Sequence, residues 1–177
     1  MEKEIVTQSI RTASEEVFST MLGIQAACGA PYDQPDSPSQ GEGVLALIGI
    51  AGPWIGTGTI SCSPQTACKL SSLLLMTPYE SVDNDVLDAM AEIANMIFGN
   101  VKTMLEEHVG PLGLSIPTVV FGKNFQTKQT TSQLWTGIPI SLDGMQMEVR
   151  LGLTPNHETG SPVRHGFDHK FLQLANK

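Results

Sequence analysis

The segment from about Asp83 to His108 constrains the fold most, because it is a long amphipathic helix with an almost bare polar side. Its apolar residues recur at helical spacing and predict a wide buried face: Met90, Ile93, Ile97, Val101 and Met104, widened by Ala91, Ala94 and Phe98. On the other side, Asp88, Glu92, Asn95 and Gly99 are spaced four, three and four residues apart. At about 100° per residue these four positions form one narrow stripe. The pattern therefore predicts a helix that is buried along one face and exposes a carboxylate and a carboxamide one turn apart on the other.

The rest of the chain predicts an α+β fold with a mostly antiparallel sheet packed against long helices. The order of elements is helix, two strands, two helices and three strands, with a Pro-, Gly- and Ser-rich loop over Gly29–Gly43. The predicted ranges are helices over about Thr7–Leu22, Pro64–Met76 and Asp83–His108, and strands within Gly43–Gly52, Trp54–Ser63, Ser115–Gly122, Ser132–Asp143 and Met145–Pro155. Residues 1–154 are predicted to form one domain, and 155–177 a C-terminal extension of unclear structure.

Composition excludes several classes of function. The net charge of −8 argues against binding to nucleic acid or to an anionic membrane surface, since both need clustered Lys and Arg. The N-terminus has no apolar signal-peptide core, and no apolar run approaches the roughly 18 residues of a membrane span. The three cysteines are odd in number and lack metal-ligand spacing, which favours free thiols in a reducing cytoplasm; they are Cys28, Cys62 and Cys68.

A metal site can be imagined at His157, His165 and His169, but no predicted helix or carboxylate supports it. For the helix stripe, two interpretations stay open on residue types alone. An exposed Asn and Glu three residues apart occur on many ordinary helices. A Glu can also anchor a cation while an Asn orients a water, because a carboxamide both donates and accepts hydrogen bonds.

A proline later in the sequence favours the functional interpretation of the stripe. Asp88, Glu92, Asn95 and Pro117 fit the pattern Asp/Ser-x3-Glu-x2-Asn-x21-Pro, which resembles the signature of the CheC/CheX/FliY family of bacterial chemotaxis phosphatases. The flanks AEIANMIFGNVKTML, SIPTVVFG and GVLALIGIAGPWIGTGTISCS also resemble that family, so that the likeness covers roughly residues 7–155. One Glu-x2-Asn motif is present, and neither of the first two helices carries a second one. The chain therefore resembles a CheX-like member, a type that the resemblance implies is a homodimer.

The implied activity is hydrolysis of the aspartyl-phosphate on a CheY-like response-regulator receiver domain. Under this resemblance Asn95 orients the attacking water and Glu92 pairs with a receiver Lys. Asp88 and Gly99 contribute to docking, and Pro117 has a structural role. The receiver supplies its own Mg²⁺, so no cofactor or metal is expected on this chain, nor any nucleic acid or membrane partner.

Two rivals remain at this stage. One is a non-catalytic adaptor that binds a receiver or motor-switch protein through the same helix, and the other is a purely structural dimerisation module. The sequence does not identify the receiver, the pathway (chemotaxis or another two-component system), the dimer geometry, or the roles of the Gly29–Gly43 loop and the C-terminal tail.

Overall fold

The computed structural model describes residues 2–34, 42–123, 125 and 135–156. Within these ranges the chain forms three helices and eight strands. In chain order they are α1 (Lys3–Met21), β1 (Ala27–Cys28), β2 (Tyr32–Gln34), β3 (Glu42–Ala51), β4 (Trp54–Cys62), α2 (Pro64–Leu75), α3 (Asn84–Val109), β5 (Gly113–Leu114), β6 (Thr118–Lys123), β7 (Trp135–Leu142) and β8 (Met145–Pro155).

All described strand pairings are antiparallel, so the predicted α+β class is confirmed. The sheet order is β1-β7-β8-β4-β3-β5, with β2 also pairing with β7 and β6 also pairing with β3. The hairpin predicted between the last two strands is present, and both of its turn residues, Asp143 and Gly144, have positive φ. Positive φ at both central residues is typical of the tight turn whose twist matches that of the flanking strands.

Both ends of helix α3 are capped by hydrogen bonds. Asp83 caps its N-terminus by accepting a 3.0 Å hydrogen bond from the backbone N–H of Val86. At the other end Gly110 has φ +82° and donates its N–H to the carbonyl of Glu106 at 3.1 Å. The Glu106 side chain also accepts from the N–H of Leu112 at 2.7 Å, which ties the helix end to the chain that follows.

One close contact with the sheet, among many along the buried face of α3, helps to fix the rotation of the helix about its own axis. Gly58 on β4 has no side chain, and a Cβ placed there would lie 2.3 Å from the ring of Phe98. The glycine therefore makes room for a fully buried aromatic ring from α3. With Phe98 held against β4, the opposite side of the helix must face away from the sheet.

The core lies between the helices and one face of the sheet, and it contains the predicted buried residues of α3. Met104 and Ala91 are the exceptions, since Met104 is only partly buried at the edge of the core and Ala91 is half-buried outside it. The far face of the sheet carries a polar cluster, where the Tyr32 hydroxyl donates to Glu148 and Arg150 donates to the same carboxylate. The Arg150 guanidinium also lies over the Tyr32 ring, 5.5 Å from its centroid.

Several predicted boundaries were wrong. Helix α1 begins at Lys3, four residues earlier than predicted, and β2 lies inside the segment predicted to be a loop. The short strands β1 and β5 were not predicted at all. Residues 35–41 and 157–177 lie outside the described part of the chain, so the rest of that loop and the division at 154/155 stay predictions.

Candidate functional site

The predicted stripe on α3 faces solvent. Asp88, Glu92 and Asn95 are exposed, and Gly99 is half-buried. Within the described ranges, the side chains of these three polar residues make no hydrogen bond or ion pair with the rest of the chain. A polar side chain that is held on a capped helix without an internal partner keeps its full hydrogen-bonding capacity for another molecule.

Gly99 is not required by packing inside the described chain. A Cβ placed on it would meet no atom within 4 Å. Glycine in the middle of a helix costs roughly 1 kcal/mol relative to alanine, so its presence here gives no stability. The surface beside Asn95 is therefore smooth enough for another backbone to approach closely.

The stripe forms one wall of a groove of about 330 Å³. The other wall is the segment between β5 and β6, and the groove is lined by Asp88, Ala91, Glu92, Asn95, Leu114, Ser115, Ile116 and Pro117. The structure thus brings Asp88, Glu92, Asn95 and Pro117, which are spread over 30 positions of sequence, to one surface feature. Gly99 lies one helical turn beyond Asn95 and is not part of the lining.

The groove is acidic and supplies two kinds of polar group. Asp88 and Glu92 are carboxylates, which accept hydrogen bonds from a cation such as a lysine ammonium. Asn95 is a neutral carboxamide, which can donate to one group and accept from another at any relevant pH. None of the lining residues is a cysteine, serine–histidine pair or lysine that would act as an activated nucleophile. The arrangement therefore suits docking and orientation of a reactant more than covalent catalysis.

A second groove, of about 570 Å³, lies on the other side of the stripe, between α3 and the C-terminal ends of α1 and α2. Asp88 and Glu92 line it too, together with apolar side chains such as Met21, Leu75 and Met96. The two carboxylates therefore stand on a ridge with a hollow on each side.

Other candidate sites in the sequence do not join this surface. The three cysteines are free, and burial raises the pKa of Cys62 to about 12 and that of Cys28 to about 11. In the described part of the chain no group of three or more His, Cys, Asp or Glu could hold a metal ion. The histidines His157, His165 and His169 lie outside the described residues. No described helix is long and apolar enough to cross a membrane.

Sequence reasoning missed one conspicuous feature of the groove. Ile116 is 89% exposed, although it is a large apolar residue. The segment Ser115–Gly122 was predicted to be one strand, in which an isoleucine beside a proline looks like an ordinary strand residue. Its position directly before the motif proline is the only signal that the sequence offered.

Comparisons with known proteins agree with the motif. Residues 44–149 match the family model described as chemotaxis phosphatase CheX. The CheY-P phosphatase CheX of Thermotoga maritima is 31% identical over 132 residues, which cover 72% of this chain and 82% of that protein.

Solved structures give the same answer. A chemotaxis protein CheX from Desulfovibrio desulfuricans has a TM-score of 0.76 and 26% identity, covering 84% of this chain and 99% of that one. The CheX of a CheX–CheY–BeF3–Mg²⁺ complex from Borrelia burgdorferi has a TM-score of 0.71 and 25% identity, covering 83% of this chain and 96% of that one. The motif, the fold and these matches together show that the chain belongs to the CheX family of chemotaxis phosphatases.

Proposed function

We propose that this protein hydrolyses the aspartyl-phosphate of a CheY-like receiver domain, with Asn95 orienting the attacking water and Glu92 docking to a receiver lysine. The observation that carries the proposal is the pair of exposed, unpartnered side chains of Glu92 and Asn95 on the capped helix α3. Family membership supports it, since the Thermotoga relative is a CheY-P phosphatase and the Borrelia relative was solved with CheY.

Hydrolysis of an aspartyl-phosphate requires only a small contribution from a second protein. An acyl phosphate is already reactive, and the receiver brings its own Mg²⁺ and lysine to neutralise the charge of the phosphoryl group. What remains is to hold a water in line with phosphorus, and positioning of this kind is a recognised source of rate enhancement. A neutral carboxamide is suited to the task, because a carboxylate in its place would repel the phosphoryl oxygens. Placing one water well lowers the barrier by roughly 2–4 kcal/mol, or about 30- to 1,000-fold in rate.

The other motif residues support the encounter. Asp88 adds a second carboxylate to the ridge that faces the receiver. Gly99 leaves the helix surface open one turn beyond Asn95, so that a receiver loop can approach it. Pro117 shapes the opposite wall of the groove. The protein is further proposed to be a cytoplasmic homodimer, which light scattering after size-exclusion chromatography would test by its mass.

The test is release of phosphate from a Mg²⁺-loaded, phosphorylated receiver of the same cell. Wild-type protein should accelerate release, and Asn95→Ala should abolish that acceleration while retaining binding. Asn100→Ala is the matched control, because it removes a carboxamide from the same helix on a different face, where Asn100 donates to Glu16 at 3.4 Å. Glu92→Gln should weaken binding and make it less sensitive to salt, since it removes one member of an ion pair.

Two results would contradict the proposal. If wild-type protein binds receivers without shortening the lifetime of the phosphate, the adaptor hypothesis is supported instead. If Asn100→Ala loses activity as completely as Asn95→Ala, the loss reflects damage to the helix and gives Asn95 no special role.

A further inference from the structure

The wall of the groove opposite Asn95 is a β-bulge. Strand β3 pairs with β6 at Leu47↔Thr118 and with β5 at Ile50↔Leu114. Between these pairs β3 advances three residues, whereas the opposing chain advances four from Leu114 to Thr118. One residue is therefore extra, and the regular pairing with β3 is interrupted between Ser115 and Thr118. Bulges of this kind re-aim a side chain at the edge of a sheet.

The bulge is clamped at its base. Ser115 donates its N–H to the carbonyl of Gly49 at 2.9 Å, and its hydroxyl oxygen accepts from the N–H of Gly49 at 2.8 Å. The same hydroxyl donates to the carbonyl of Ile116 at 3.0 Å. Pro117 has no N–H and so fits a position where the ladder is interrupted. These contacts hold the loop in one conformation before any partner arrives.

The side chain that the bulge displays is apolar. Ile116 is 89% exposed, yet it lines the same groove as Glu92 and Asn95. Any protein that brings a phosphoryl group to Asn95 must cover this groove, and it then covers Ile116 as well. Burial of an exposed isoleucine favours association, by roughly 10- to 100-fold in affinity when the burial is complete.

We propose that Ile116 is a second docking contact for the receiver, packing on an apolar side chain that borders the receiver's phosphorylation site. This inference rests on the proposed function above. It assigns recognition to two walls of the groove: Glu92 pairs with a cation on one side, and Ile116 fills an apolar hollow on the other. The clamp at Ser115 keeps the entropic cost of that contact small, because the loop is already ordered.

The experiment measures binding and turnover separately. Binding is titrated with a Mg²⁺-loaded receiver carrying beryllofluoride, and turnover is measured with the phosphorylated receiver. Ile116→Ala should raise Kd and KM about tenfold and leave kcat within about twofold, because an apolar contact that does not touch the reacting atoms stabilises the ground and transition states equally. Ile116→Leu should retain most of the affinity. Phe121→Ala is the matched control, since Phe121 is 48% exposed five residues along the same edge, and it should change neither constant.

The outcomes separate this inference from the proposed function. An unchanged Kd for Ile116→Ala, with wild-type turnover intact, overturns the docking role alone. A fall in kcat without a change in KM also overturns it, because Ile116 would then act on the position of Asn95. Wild-type binding that depends on Ile116 but gives no turnover supports the docking role and refutes the phosphatase. Absence of saturable binding by wild-type protein overturns both.

Discussion

Replacing Gly99 by alanine should make the protein more stable and a poorer phosphatase at the same time. Gly99 lies within α3, and an added Cβ would meet no atom within 4 Å in the described structure. The folded state therefore accepts the methyl group without strain, while the unfolded chain loses conformational freedom. Glycine in a helix interior costs roughly 0.5–1 kcal/mol relative to alanine, so the free energy of unfolding should rise by about that amount.

The same methyl group points along the stripe that is proposed to meet the receiver. If a receiver backbone packs against Gly99, the methyl forces it away, and overpacking of a close contact costs about 1–3 kcal/mol. Receiver affinity should then fall about 5- to 150-fold. Stability is measured by urea unfolding at constant m value, and affinity by titration with the beryllofluoride-bound receiver. Glu107→Ala is the control, because Glu107 is exposed on the same helix two turns beyond Gly99, away from the groove.

Two separate results would refute parts of this reasoning. A loss of stability in Gly99→Ala would mean that the space around the helix is not open as described. A gain in stability with unchanged affinity would leave Gly99 without a docking role, and the glycine would then have no explanation in the structure.

Two further predictions concern the interior. Gly58→Ala should reduce the free energy of unfolding by about 1–3 kcal/mol, because its Cβ would lie 2.3 Å from the Phe98 ring, and the double variant with Phe98→Leu should recover part of that loss in urea unfolding. For the cysteines, burial raises the pKa of Cys62 from 9.0 to about 12 and that of Cys28 to about 11, so both stay protonated at pH 8 in the folded protein. The folded protein should react with a thiol-specific disulfide reagent at least about a hundredfold more slowly at these two positions than the guanidinium-unfolded chain, and equal rates would contradict the burial that raises both pKa values.

Periodic patterns in the sequence were sufficient to predict the long helices and strands. The stripe of α3 and the whole of the last strand, Met145–Pro155, were predicted as they occur, because each depends on local spacing. The two-residue strands β1 and β5 carry no such signal. They exist because β7 and β3 offer unpaired edges at the right places, and those edges form only when the sheet is assembled.

In the candidate site, too, some residues could be predicted from local sequence and others could not. Helical periodicity placed Glu92 and Asn95 on one exposed stripe, since one helix fixes their relative positions, and the resemblance to the family signature that ends at Pro117 singled them out. Ile116 could not be predicted, because its exposure follows from a one-residue mismatch between the register of β3 with β5 and that of β3 with β6. A register mismatch is a property of two paired strands, so no reading of one strand alone reveals it.

The two walls of the groove, α3 and the Ser115–Pro117 bulge, each contact the sheet at neighbouring positions. These contacts explain how two elements distant in sequence keep a fixed distance between them. The Phe98 ring sits over Gly58, which pairs with Ile48, and the Ser115 clamp holds Gly49, the next residue along β3. Helix and bulge are therefore anchored on the paired strands β4 and β3, at positions one residue apart in register, and sheet geometry sets the distance from Asn95 to the bulge. Water positioning tolerates small errors poorly, because a displacement of about 1 Å can cost about a hundredfold in rate. Anchoring of the two walls to neighbouring paired strands supplies the precision that the proposed mechanism needs.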